Sequence, residues 1–244
     1  MQGRNGLGWL VVPFLLASTP ARAVDVEILL TADNAYGLGV GTAGGITHYF
    51  GIVENTTAGQ IFSGPEVYTI EDADPAGYLY ILAWSDDSVT QGVLGQLRVG
   101  DEAPYYTGQG DWEVFATGID LDVPVGGGGP SVELINGQIA IANEGSGPDT
   151  SSGLWTGTSG GALGNLAFGE DNSSAAGDFP IAVMIDPAAR WMWFNRSPGV
   201  LNAFRDGNHK EALLFRLPLA KVAGVAEVAF GLLHTGVGTA GISI

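Results

Sequence analysis

The sequence predicts an all-β protein: a β-sandwich or jelly roll joined to a second β-rich portion. Three observations carry this. Apolar runs are short, several alternate with period two, and most are separated by Gly, Pro, Asn or Asp clusters. Glycine is abundant, at 39 of 244 residues, and only 14% of residues are charged. Cysteine is absent, so packing and sheet hydrogen bonds must hold the fold without covalent staples.

Residues 1–23 read as a secretory signal peptide. Arg4 lies in a short start without acids, LGWLVVPFLLA follows, and Ala21-Arg22-Ala23 closes the stretch with a small-x-small pattern. The apolar run is too short to span a bilayer, which takes roughly 20 residues. Removing the leader removes Arg4 and Arg22 but no acid. A chain already at −17 becomes more acidic still. Such a surface disfavours nucleic acid and anionic membranes as partners. The expected location is extracellular or the cell surface.

From Val24 the chain alternates: Val24, Val26, Ile28 and Leu30 are apolar around Asp25 and Glu27. One face of this strand is buried and the other wet. Asp33-Asn34 reads as a turn. Strands are expected at Tyr36 to Val40, His48 to Val53, Val67 to Ile70, Tyr78 to Trp84, Val93 to Val99 and Trp112 to Phe115. The run YLYILAW at Tyr78 to Trp84 is almost wholly apolar, as a central strand buried on both faces would be. Residues 24–123 form the expected sandwich.

Pro124 to Pro130, PVGGGGP, is the strongest punctuation in the chain. It is either a linker between two units or a long loop within one. Residues 131–220 form the second β-rich portion. Within it, Val132 to Ala142 (VELINGQIAIA) reads as a hairpin turning at Asn136-Gly137, with a short amphipathic helix as the competing reading. Gly145 to Ser173 is rich in Gly, Ser and Asp, with Leu154-Trp155 and Leu163 to Phe168 as apolar islands. Further strands are expected at Ile181 to Ile185, Arg190 to Phe194 and Ala212 to Leu217. Residues 221–244 form an apolar, Gly-rich tail containing Glu227 and His234. Membrane contact is expected only if that tail inserts. Buried charge on Glu227 opposes insertion.

Three segments in the first half resemble a known fold family. Thr31, Ala32, Asp33, Asn34 and Tyr36 match a T-A-D-N/D-x-Y strand end, Gly77 to Trp84 a G-x-L-Y-I/L-x-A-W strand, and Gly92 to Leu97 a G-x-L/F-x-x-L strand. These motifs resemble the galactose-binding-like jelly rolls of bacterial secreted proteins. With FGEDNSSAAGDFP, IDPAARWMWFN and EALLFRLPLA, the chain is similar to Gram-negative secreted proteins ending in a PEP-CTERM sorting tail. It departs from them after Ala220, where no Pro-Glu-Pro and no terminal arginine occur. The resemblance implies a jelly-roll fold and an extracellular compartment. It does not select a ligand, because one fold hosts many functions.

Several residues are candidates for chemistry. Trp155, Trp191, Trp193 and Asn195 form a candidate carbohydrate site, since sugar faces stack on exposed indoles while amides and carboxylates hold hydroxyls. Trp191 and Trp193 share a strand two residues apart, and Trp155 lies in a Gly/Ser-rich stretch where exposure is expected. Both Trp sets also fit a core. Asp72, Asp74, Asp86 and Asp87 sit in or beside turns and offer hard oxygens suited to calcium, although no D-x-D-x-D-G loop is present. His48, His209 and His234 lack the spacing of a zinc site. GTSGGA at Gly157 to Ala162 resembles a serine-protease nucleophile loop, with Ser159 as nucleophile and His48 as base, but the Asp and Pro of that motif are missing. The sequence therefore favours a non-catalytic protein that binds carbohydrate or surface components. A structural matrix component without a small ligand is the alternative, and a secreted hydrolase a distant third.

Overall fold

The computed structural model describes residues 23–86, 90–121, 129–147, 153–160, 164–173, 178–196, 202–205 and 211–224. The expected signal peptide up to residue 22, most of the glycine run, Asp87 and the tail beyond residue 224 lie outside them.

The architecture is a sandwich of two antiparallel sheets. The strands are β1 (Val24–Asp33), β2 (Ala35–Thr42), β3 (Gly45–Glu54), β4 (Glu66–Ala73), β5 (Tyr78–Trp84) and β6 (Gly92–Val99), then β7 (Tyr105–Tyr106), β8 (Glu113–Ala116), β9 (Asn165–Asp171), β10 (Arg190–Asn195) and β11 (Leu213–Pro218). Three helices are interspersed: α1 (Ala58–Ser63), α2 (Val132–Glu144) and α3 (Leu219–Val222). One sheet runs β4-β1-β6-β10-β9, with β7 also paired to β6; the other runs β3-β2-β5-β11-β8. Strands from before and after the glycine run thus share both sheets.

The near-continuous apolarity of β5 has a direct cause. Leu79, Ile81 and Ala83 point into the core between the sheets, while Tyr80, Leu82 and Trp84 enter a second cluster on the other face. Helix α2 covers that face with Ile135, Ile139 and Ala142. The second sheet is therefore sandwiched between the first sheet and a helix.

Strand β2 carries Gly37, Gly39 and Gly41 at alternate positions, all facing away from Tyr36 and Leu38. A Cβ at Gly39 would lie 2.8 Å from the Ile46 side chain, and one at Gly41 only 2.0 Å from the Gly45 carbonyl oxygen. The glycines let β3 fold closely across β2.

The hairpin expected at Val132 to Ala142 is instead helix α2. Ser131 caps its start, with its hydroxyl accepting from the Leu134 amide at 3.3 Å. Gly145 ends it in the left-handed region, φ 67°. The Asn136-Gly137 pair was the turn signal, and the structure uses each residue otherwise. Asn136 bonds the edge of β3 through both amide atoms: Oδ1 accepts from Ile46 N at 2.7 Å and Nδ2 donates to Ile46 O at 3.2 Å. Gly137 faces open space, so it costs the helix only its poor propensity.

The strand expected at Ile181 to Ile185 is a loop lying on the first sheet. Asn172, buried, donates to the carbonyls of Ala182 (2.9 Å) and Ile185 (2.8 Å) and accepts from Ala182 N (2.7 Å). One side chain thus satisfies the backbone groups that strand pairing would have taken. Phe179, Ala182 and Ile185 are buried, while Ile181, Val183 and Met184 face solvent.

Candidate functional site

Strands β3 and β4 are the edges of their two sheets on the same side of the sandwich. Between them a cleft of about 500 Å³ opens toward the beginning of β1. Its floor is apolar: Val40 from β2, Ile70 from β4 and Leu219 from α3. Phe50 and His48 form the β3 wall, their rings 4.6 Å apart at 76°. Thr42, Thr47, Thr69, Glu71, Asp72 and Asp74 also line it. All six of these residues are exposed.

A bulge shapes the β3 wall: the β2 register skips Phe50, whose ring packs on the core between the sheets beside His48, while Tyr68 and Ile70 share the inward face of β4. Phe50 packs edge-on against Tyr68, with centroids 5.6 Å apart. Behind that contact lies a closed polar network. The Tyr36 hydroxyl donates to Glu66 Oε2 at 2.8 Å and lies 2.9 Å from the Tyr68 hydroxyl. Burial, with Tyr68 and Glu66 alongside, drives the Tyr36 phenol far above its ordinary range. Burial also raises the Glu66 carboxyl, opposed by the hydrogen bond from Tyr36. The network fixes Tyr68, and Tyr68 holds Phe50.

At the foot of β4, Asp72 adopts a left-handed backbone (φ 51°), which Asp and Asn tolerate best among non-glycine residues. Its amide donates to Asp25 Oδ1 at 3.0 Å. Asp74 caps the following turn, accepting from Ala76 N at 2.9 Å.

The tryptophans proposed for stacking lie elsewhere and are buried. Trp191 is 1% exposed and stacked on Phe179, with centroids 4.0 Å apart and planes at 13°. Trp193 is fully buried beside Phe215. Trp155, expected in an exposed stretch, is 7% exposed. Its indole N–H donates to Asn143 Oδ1 at 2.8 Å, and the Arg216 guanidinium sits 4.1 Å over its ring. Face and edge are both occupied from within the protein, so none of the three offers a free ring. Asn195 is half-buried and lines a separate cleft of about 340 Å³ with Glu170, Asp178 and Asn202. The polar groups of that cleft are engaged within the protein: Glu170 accepts from Phe179 N, and Asp178 accepts from Asn202 Nδ2, each at 2.6 Å.

The aspartates proposed for calcium divide between the two ends of β1. Asp72 and Asp74 flank its start, where Val24 pairs with Ala73. Asp86 lies beyond its end, its amide donating to Asn34 Oδ1 at 3.0 Å. Ten residues of strand separate the ends, roughly 30 Å at strand rise. Among the described residues no three His, Asp or Glu side chains gather to hold a metal. His48 and Ser159, the pair a serine hydrolase would need, line different clefts.

The cleft residues Thr47, His48, Phe50 and Glu71 carry no motif. The available signal is the pattern T-H-Y-F on a strand whose neighbours place it at a sheet edge, and edge position is a property of the fold. Compared with family models, curated proteins and solved structures, the chain matches none.

Proposed function

We propose that this is a secreted or cell-surface, non-catalytic protein that binds carbohydrate in the cleft between β3 and β4. The observation that carries the reading is the make-up of that cleft. An apolar floor and the Phe50 ring suit the C–H face of a sugar, while hydroxyls and carboxylates on the rim suit its O–H groups. The leader-like residues 1–23 support export. The resemblance of Thr31 to Tyr36, Gly77 to Trp84 and Gly92 to Leu97 to galactose-binding-like jelly rolls supports the jelly-roll fold and export, and leaves the ligand to the cleft. Calcium enters this proposal only as an accessory that glycan binding would reveal.

A glycan array probed with the protein, with and without calcium, tests the reading. The expected result is binding by the parent protein that falls about tenfold or more in Phe50→Ala, the loss of one aromatic contact. Trp155→Phe, which keeps a buried ring away from the cleft, should bind as the parent does. Silence across the array, from protein shown to be folded, would transfer the reading to a structural matrix or surface component without a small ligand. The burial of every tryptophan among the described residues favours that second reading.

A further inference from the structure

We infer that the cleft selects glycans bearing protonated amines, such as oligomers of glucosamine, over neutral or uronic-acid glycans. This rests on the carbohydrate reading above and adds the charge class of the ligand. The cleft itself is defined by its apolar floor and its Phe50–His48 wall; the charge around it decides what kind of sugar enters.

Glu71, Asp72 and Asp74 stand exposed along one rim, and among the described residues no Lys or Arg lines the cleft. Asp25 adds a fourth carboxylate at the same end, since its Oδ1 accepts the Asp72 amide. A concave site lined by one sign of charge over low-dielectric walls focuses the field and concentrates ligands of opposite sign. The rest of the chain reinforces this field, with 26 acids against 9 Lys and Arg. A uronate or sulfated glycan would meet repulsion with no arginine to answer it. A neutral sugar would gain hydrogen bonds alone.

An ammonium on a sugar ring supplies both things the cleft lacks: positive charge and N–H donors for acceptor-only carboxylates. The ring keeps an apolar face for Phe50. Its hydroxyls can reach Thr42 and Thr47, whose side chains make single local hydrogen bonds, from Gly44 N at 3.2 Å and to Val40 O at 3.3 Å. The cleft volume, about 500 Å³, is in the range of small-ligand sites.

The test is calorimetric titration of the protein with three probes: the glucosamine tetramer, its fully N-acetylated counterpart and a galacturonate oligomer. The glucosamine tetramer should bind about tenfold or more tightly than the acetylated one, as several exposed charge contacts together provide. Raising NaCl from 0.05 to 0.5 M should erode that preference. The variant combining Glu71→Gln, Asp72→Asn and Asp74→Asn should lose it, and Asn at 72 keeps the left-handed backbone tolerable. Acetylated tetramer or galacturonate bound as tightly as the glucosamine form would overturn the inference and leave the carbohydrate reading standing. No binding of any oligomer by folded protein would overturn both.

Discussion

At the scale of single residues, the buried polar groups make the sharpest statements. Asp33 ends β1 only 6% exposed, and burial lifts its carboxyl to about 6, aided by Asp86 and opposed by the hydrogen bond from Thr90 Oγ1 at 2.7 Å. A carboxyl raised in the folded state binds its proton more tightly there than in the unfolded chain. Its contribution is therefore fully present below the unfolded value of 3.8 and is lost as pH rises to about 6. Asp33→Asn should remove that slope and stabilise the protein at pH 7 by up to about 3 kcal/mol, read from urea denaturation across pH 4–7. An unchanged slope would contradict this account of Asp33. Tyr36→Phe removes the hydroxyl that Glu66 and Tyr68 share, and should cost about 1–3 kcal/mol in the same assay. Because Tyr68 supports Phe50, it should also weaken glycan binding.

At the scale of elements, β5 and α2 show what was legible and what was not. The β5 strand could be read because both its faces are buried, so seven consecutive residues report a single environment. The α2 helix was obscured by Asn136-Gly137, a strong local turn signal overridden by a distant contact. Asn136 is held by Ile46, ninety residues earlier in the chain, and nothing nearby in sequence announces that bond. Asn136→Ala should cost about 1–3 kcal/mol, because the β3 edge loses both partners at Ile46. Gly137→Ala, at an exposed helical position with open space, should stabilise by about 0.5–1 kcal/mol. If residues 132–144 formed a hairpin, the alanine would instead destabilise. Trp155 departs from its local sequence for a related reason: its surrounding Gly and Ser suggest exposure, whereas Arg216, Asn143, Tyr80 and Phe115 come from other elements to enclose it.

At the scale of the whole molecule, the fold class followed from composition and period-two patterning, while the cleft did not. The cleft exists because β4 pairs with β1 and β3 with β2, which brings two sheet edges to one side. Its residues are unremarkable until that topology is in place. The net charge of −17 acts on the molecule as a whole. Self-repulsion opposes compaction and is screened by salt, so Tm should rise by a few degrees between 0.01 and 0.5 M NaCl. A fall would indicate that attractive ion pairs such as Arg216–Glu113, at 2.7 Å, outweigh the repulsion.

The central claim is that the cleft between β3 and β4 is the glycan site. The most direct measurement is an amide NMR titration of the labelled protein with the glucosamine tetramer and, separately, its acetylated counterpart. The account predicts perturbations concentrated at residues 47–50 and 69–74, with residues 153–157 and 193–195 little changed. Absence of shifts with either oligomer, or shifts centred on Trp155 or Asn195, would contradict it.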